Sequence, residues 1–169
     1  MIKALHHNAY RCRDSEETRQ FYEGFLGLPL ACALEIRETM TGRPTETLHT
    51  FYRLGDGSFL AFFEAPDLPF EFRPQHDFDL HIALEVDASG LESMLARAAV
   101  RGVRARGIAE HSMIRSVYFE DPNGYVIELA AKTAAHDTMM DPARNGARAT
   151  LDRWQQLRVA HTRGQGTSR

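Results

Sequence analysis

The feature that most constrains the fold is an internal repeat. His7-Asn8-Ala9-Tyr10-Arg11 leads to an acidic residue, Asp14, and then into a polar, helix-like stretch ending at Gly27. In the second half His81-Ile82-Ala83-Leu84-Glu85 leads to Asp87 and then into a second such stretch ending at Gly102. The halves also close alike. Gly57-Ser58-Phe59-Leu60-Ala61-Phe62-Phe63-Glu64 mirrors Gly124-Tyr125-Val126-Ile127-Glu128, a glycine turn feeding an apolar strand that stops at glutamate. The offset from His7 to His81 is longer than that from Glu64 to Glu128, so order is kept while loop length is not.

Local chemistry supports the elements of each half. Asp14 with Glu17, and Ser89 with Glu92, have the i, i+3 spacing of a capping box at a helix start. Leu91, Leu95 and Ala98 share one helical face and Gly102 suits the left-handed stop, as Phe21, Phe25 and Gly27 do in the first half. IALEV, HTFYRL, FLAFFEA, RSVYFE and YVIELA are β-branched or aromatic runs bounded by the turn sequences Gly55-Asp56-Gly57 and Asp121-Pro122-Asn123-Gly124. Each half therefore reads as βαβββ. The expected fold is α+β: one domain, 1–132, whose two modules (about 4–66 and 78–132) form a curved mixed sheet or open barrel. Segments 33–48 and 65–80 carry no motif and read as loops in which pocket specificity would lie.

Residues 133–169 read as a linker, a C-terminal helix and a polar, disordered tail, HTRGQGTSR. Asp141-Pro142 offers that helix an N-cap and a proline at its first position. Ala147, Leu151 and Trp154 give it an apolar side, and the single tryptophan is expected to anchor it to the body or to another subunit.

Composition narrows the partners. With 20 basic against 23 acidic residues, the net charge of −3 gives no general attraction to nucleic acid or to an anionic membrane. No apolar run approaches the length of a membrane span, and the start MIKALHHNAY lacks a signal-like apolar core, so a cytoplasmic location is expected. Cys12 and Cys32 are too few for a disulfide scaffold and are not a CxxC pair. The eight histidines are the unusual count.

Two of those histidines stand at equivalent strand starts, and each half ends at a glutamate. If a pseudo-two-fold axis relates the repeats, His7, Glu64, His81 and Glu128 become two equivalent pairs on rigid strands with apolar neighbours. Two imidazoles and two carboxylates suit one divalent ion, Ni²⁺, Zn²⁺, Fe²⁺ or Mn²⁺.

The stretches HHNAYRCRDSEETRQFYEGFLGLPL, HIALEVDASGLESMLARAAVRGV and SVYFEDPNGYVIEL, which together run over about residues 4–132, resemble the vicinal oxygen chelate superfamily. That group holds glyoxalase I, extradiol dioxygenases, fosfomycin-resistance enzymes and the metal-free bleomycin-resistance proteins. The resemblance implies paired βαβββ modules around a metal, with all four glyoxalase-type ligand positions filled, at His7, Glu64, His81 and Glu128. Glu128 or Glu64 would then remove a carbon-bound proton from a small substrate with adjacent oxygens, a lyase or isomerase reaction. Extradiol dioxygenases use three ligands, matching His7, His81 and Glu128, with a tyrosine and a histidine upstream that match Tyr118 and His111. Their main acid/base histidine has no counterpart in the first module. A metal-free sequestering protein is the third reading. Arg11 would hold a substrate carboxylate, and Phe62, with neighbouring phenylalanines, would line an aromatic pocket. A homodimer is expected, with the site built inside one chain or by modules exchanged between two.

Overall fold

The computed structural model describes the backbone of residues 1–165 and the side chains of residues 1–158. Asp14, extended at φ −145°, accepts the Glu17 amide on its side chain and so opens α1 (Ser15–Arg19). The helix widens into a π-turn over Gln20–Phe25 and stops before Gly27, whose positive φ ends it. Around it run β1 (Tyr10–Arg11), β2 (Leu30–Glu38), β3 (Pro44–Arg53) and β4 (Phe59–Glu64). The second module repeats the order: β5 (His81–Glu85), α2 (Ala88–Arg101), β6 (Ala105–Glu110), β7 (Ile114–Glu120) and β8 (Val126–Lys132). Gly102 closes α2 in the left-handed conformation. Asp87, not Ser89, is its N-cap, and Ser89 lies inside the first turn, where its carbonyl accepts the Ser93 hydroxyl.

Each module makes its own four-stranded mixed sheet, ordered β1-β4-β3-β2 and β5-β8-β7-β6. The first strand of each lies parallel to the last, and the remaining neighbours are antiparallel. Segment 33–48, expected as a loop, is largely the β2–β3 hairpin.

Alternation gives each sheet two faces. One packs on the helices: Leu60, Phe62 and Tyr52 close over Tyr22 in the first module, and Ile127, Val117 and Phe119 join Leu91 and Ala98 in the core of the second. The Phe25 and Phe119 rings meet across the modules at 5.2 Å. The Tyr22 hydroxyl donates to the buried Asp121 carboxylate at 3.0 Å, and the Arg13 amide donates to the Asn123 side chain at 2.8 Å. The other face of each sheet carries His7 or His81.

The C-terminal segment departs from expectation. Asp141 caps a turn, accepting the Ala143 amide on its side chain, and α3 (His136–Met140) precedes it. The long helix α4 (Ala147–Gln165) starts later, where the Asn145 side chain accepts the Ala147 amide. It continues through residues 161–165 of the expected tail, and residues 166–169 lie outside the described residues. Leu151, Trp154 and Leu157 are half or more exposed, so Trp154 does not anchor the helix to its own body. No helix among the described residues is long and apolar enough to cross a membrane.

Candidate metal centre

His81 and Glu128 come together on neighbouring strands, β5 and β8. The His81 Nε2 lies 3.2 Å from Oε2 of Glu128, whose side chain is almost fully buried while that of His81 is 40% exposed. The other ring nitrogen, Nδ1, lies 2.7 Å from the Asp77 carbonyl oxygen. A carbonyl only accepts, so Nδ1 carries a hydrogen and the ring turns its Nε2 to the carboxylate. An imidazole nitrogen and a carboxylate oxygen at this separation can share either a proton or a metal ion. Two donors about 2.1 Å from one ion and at right angles lie about 3 Å apart, so this pair fits a divalent metal.

The rest of Glu128 is held by the sheet. Its Oε1 accepts the Ser116 hydroxyl at 2.5 Å and the Tyr118 hydroxyl at 3.2 Å, both from β7 on the same face. Nε2 of His111 lies 3.1 Å from that phenol oxygen, giving a chain from Glu128 through Tyr118 to the exposed His111. Burial and the nearby Glu128 charge push the Tyr118 phenol above its usual value of 10.0, so it stays protonated as a donor. The Arg106 guanidinium lies over its ring at 4.3 Å and pairs with the Asp77 carboxylate.

The first module has diverged. His7 bridges Phe59 as His81 pairs with Val126, so two positions on, the counterpart of Glu128 is Ala61. Glu64 lies three positions further and therefore on the opposite face. Its carboxylate accepts the Ser15 amide at 2.8 Å, capping α1. The expectation that Glu64 is equivalent to Glu128 therefore gives way to strand register. The sequence carries the same spacing: Ala61 follows the turn glycine Gly57 at the interval by which Glu128 follows Gly124. Removal of that cap by Glu64→Ala is expected to lower stability by about 1 kcal/mol while leaving divalent-metal affinity within twofold, measured by urea unfolding and by calorimetric titration.

The remaining assignments separate in the same way. Phe62 is fully buried against Tyr22 at 4.6 Å, which places it in the core and not in a ligand pocket. Arg11 shares the His7 face, but its Nη2 donates to the carbonyls of Ala65 and Leu68 and its guanidinium lies over Phe70. It fastens the inter-module segment rather than standing free for a carboxylate.

His7 is exposed. Its Nδ1 pairs with Nδ1 of His6 at 2.7 Å, and its ring meets Phe51 at 5.4 Å. Sequence reasoning does not single out Ser116 and His49 for the site, although strand alternation from Tyr118 and Phe51 reaches both. His49 occupies the position in the first sheet that Ser116 holds in the second. Buried and stacked on Phe63 at 3.7 Å, it has Nδ1 3.0 Å from the Phe62 carbonyl, and its ring lies 6.1 Å from that of His7. Burial holds this imidazole below its usual value of 6.5, leaving it neutral at pH 7. Among the described residues no three His, Cys, Asp or Glu side chains are grouped closely enough to hold one ion. Of the four expected ligands, one chain brings His81 and Glu128 into contact.

The family model described as Glyoxalase/Bleomycin resistance protein/Dioxygenase superfamily matches residues 4–129. No curated protein sequence matches the chain. Among solved structures, FosX, a genomically encoded fosfomycin resistance protein from Listeria monocytogenes, is 19% identical at a TM-score of 0.63, over 80% of this chain and 98% of that one. A variant of the same FosX, 19% identical at a TM-score of 0.61 over 81% of this chain and 98% of that one, was solved with Mn(II) and 1S,2S-dihydroxypropylphosphonic acid. TnmS3, an antibiotic binding protein from Streptomyces sp. CB03234, is 22% identical at a TM-score of 0.58, over 78% and 98% of the two chains.

Proposed function

As the chain belongs to the Glyoxalase/Bleomycin resistance protein/Dioxygenase superfamily, we propose that it is a divalent-metal enzyme acting on a small organic molecule with two adjacent oxygens. The observation that carries this reading is the approach of His81 Nε2 to the Glu128 carboxylate at 3.2 Å. His81 and Glu128 would hold the metal, with His7 as the third ligand. His7 is contributed by the first module of a second copy, since the described residues of one chain do not group the three. When bound, the ion supplies Lewis acidity for charge that develops on the substrate oxygens.

The reaction proposed is proton transfer, of the lyase or isomerase kind. Glu64 has no part in it, because its carboxylate is committed to the α1 cap. His49 takes the role of base: its Nδ1 hydrogen is fixed on the Phe62 carbonyl, which leaves Nε2 unprotonated on the same sheet face as His7. Tyr118 is the acid, with the exposed His111 relaying protons between the phenol and solvent. The second reading is Fe²⁺-dependent ring cleavage of a catechol, favoured by the two-histidine, one-carboxylate set together with the Tyr118–His111 pair.

Elemental analysis of the purified protein, followed by reconstitution, tests these readings. Stoichiometric Ni²⁺, Zn²⁺ or Mn²⁺ with a His49→Gln variant that loses at least tenfold in turnover supports proton transfer. Oxygen-sensitive iron with catechol consumption supports the second. Failure to bind any divalent ion overturns both and leaves ligand sequestration.

A further inference from the structure

Beyond His7 and His49, the open face of the first sheet has no part in the chemistry above, yet it is aromatic. Alternation and register place Phe63 opposite His49 on it, Phe51 opposite Ala61, and Phe59 beside His7. Leu34, half exposed, extends the face next to His49 on the outer strand. Its arginines stand at the margins: Arg11 on the edge strand is tied to the carbonyls of Ala65 and Leu68, and Arg53 ends β3. Phe51, Phe59 and Phe63 are half-buried. The Phe51 and Phe59 rings meet edge-on at 6.1 Å.

The second sheet is built otherwise. Where the first has Phe51, Phe59 and Phe63, the matching register positions hold Tyr118, Val126 and Ala130. One module therefore carries the polar wall and the other an apolar one. In the reading above His7 comes from a second copy, and the apolar face comes with it.

Two contacts tie that face to the reacting groups. His49 is framed by Phe51 at 4.2 Å and Phe63 at 3.7 Å, so a carbon presented to its Nε2 lies beside those rings. The Phe51 ring also stands 5.4 Å from that of His7, so an apolar group next to oxygens held near His7 meets Phe51. Phenylalanines set edge-on and offset are the surroundings in which a further ring packs well.

We propose that Phe51, Phe59 and Phe63 form the apolar wall of the substrate pocket, and that the substrate carries an aromatic ring next to its two adjacent oxygens. The proposal rests on the metal-enzyme reading above and adds the substrate class to it.

The test uses three α-hydroxy acids that share adjacent hydroxyl and carboxylate oxygens and differ only in the attached group. Lactate carries a methyl, mandelate a phenyl and hexahydromandelate a cyclohexyl. Titrated calorimetrically into the Zn²⁺-loaded full chain, mandelate should bind about tenfold or more tighter than lactate. It should also lead hexahydromandelate by about twofold or more, although the saturated ring is the more apolar. Phe51→Leu keeps apolar bulk but removes the ring, and should bring the mandelate and hexahydromandelate affinities together. In the wild type with ¹³C-labelled phenylalanine, the mandelate ring protons should show nuclear Overhauser contacts to Phe51, Phe59 and Phe63. The core rings of Phe21, Phe25 and Phe62 should show none.

Equal affinities for mandelate and lactate, a lead for hexahydromandelate, or mandelate contacts elsewhere on the protein overturn the proposal. So does a face whose rings contact only a second copy of the chain. A protein that binds no Zn²⁺ defeats the metal reading instead, and the same labelled sample, metal-free with millimolar mandelate, then decides the wall by the same contacts. A Phe51→Leu chain that fails to fold shows itself by circular dichroism, and the wild-type contacts then carry the test.

Discussion

Glu128→Gln is expected to leave the fold intact and to remove divalent-metal binding and turnover together. The amide is nearly isosteric with the carboxylate, and its oxygen can still accept the Ser116 and Tyr118 hydroxyls that now bond Oε1. Its NH₂ would then face Nε2 of His81 and can donate to it. Both groups stay satisfied, so thermal stability should change little. The anionic ligand is gone and its place is blocked by a donor. A catalytic ion contributes several kcal/mol of charge stabilisation, which corresponds to several factors of ten in rate. Turnover should therefore fall by about 10³ or more, and titration with Mn²⁺ or Ni²⁺ should show affinity weakened beyond 100-fold. Full turnover in this variant would remove Glu128 from the site.

The largest effect on stability is expected at Gly124, at the close of the Asp121–Gly124 turn. Its φ of +92° is a conformation that L side chains rarely adopt, and a Cβ there would lie 2.5 Å from the Arg73 carbonyl oxygen and 2.8 Å from the carbon. Those atoms are backbone and cannot rotate away. The Gln75 amide also donates to the Gly124 carbonyl at 2.8 Å, so the turn and the segment before β5 are fastened together. Backbone strain of about 1–3 kcal/mol adds to the overlap, and Gly124→Ala should lose roughly 3 kcal/mol or more. For a chain of this size that lowers Tm by about 10 °C. Gly57→Ala is the internal control: its φ is +86°, but nothing lies within 4 Å of the added Cβ. It should lose about 1 kcal/mol. Equal losses in the two variants would mean that the packed segment contributes nothing.

The elements most legible in the sequence are those whose signals are local. Asp14 caps α1, Gly102 ends α2, and Leu91 and Ala98 face the core, because each follows from spacing along one helix. The β2 strand escapes a sequence reading because its residues are mostly exposed, leaving no alternation to see. Glu64 shows the harder limit. Two glutamates ending two similar strands invite superposition, whereas the side of the sheet each occupies depends on pairing with a strand far away in the chain. A shift of three positions exchanges the helix-packed face for the open one. His81, Glu128 and Tyr118 are readable because they share one face of paired strands within a single module. Arg11 misleads for another reason: its partners are backbone carbonyls, which carry no side-chain signature in a sequence.

The segment joining the two modules has a consequence for how this chain can vary. Joining segments are usually where a fold tolerates change. Here the carbonyls of Ala65 and Leu68 receive Arg11, that of Arg73 seats Gly124, and that of Asp77 receives His81. In these contacts the segment offers its main chain, not its side chains. Apart from Asp67, Phe70, Phe72 and Asp77, whose side chains engage Arg43, Arg11, Arg13 and Arg106, its composition can drift while its length is fixed: one inserted residue between Leu68 and Asp77 would slide a carbonyl out of register.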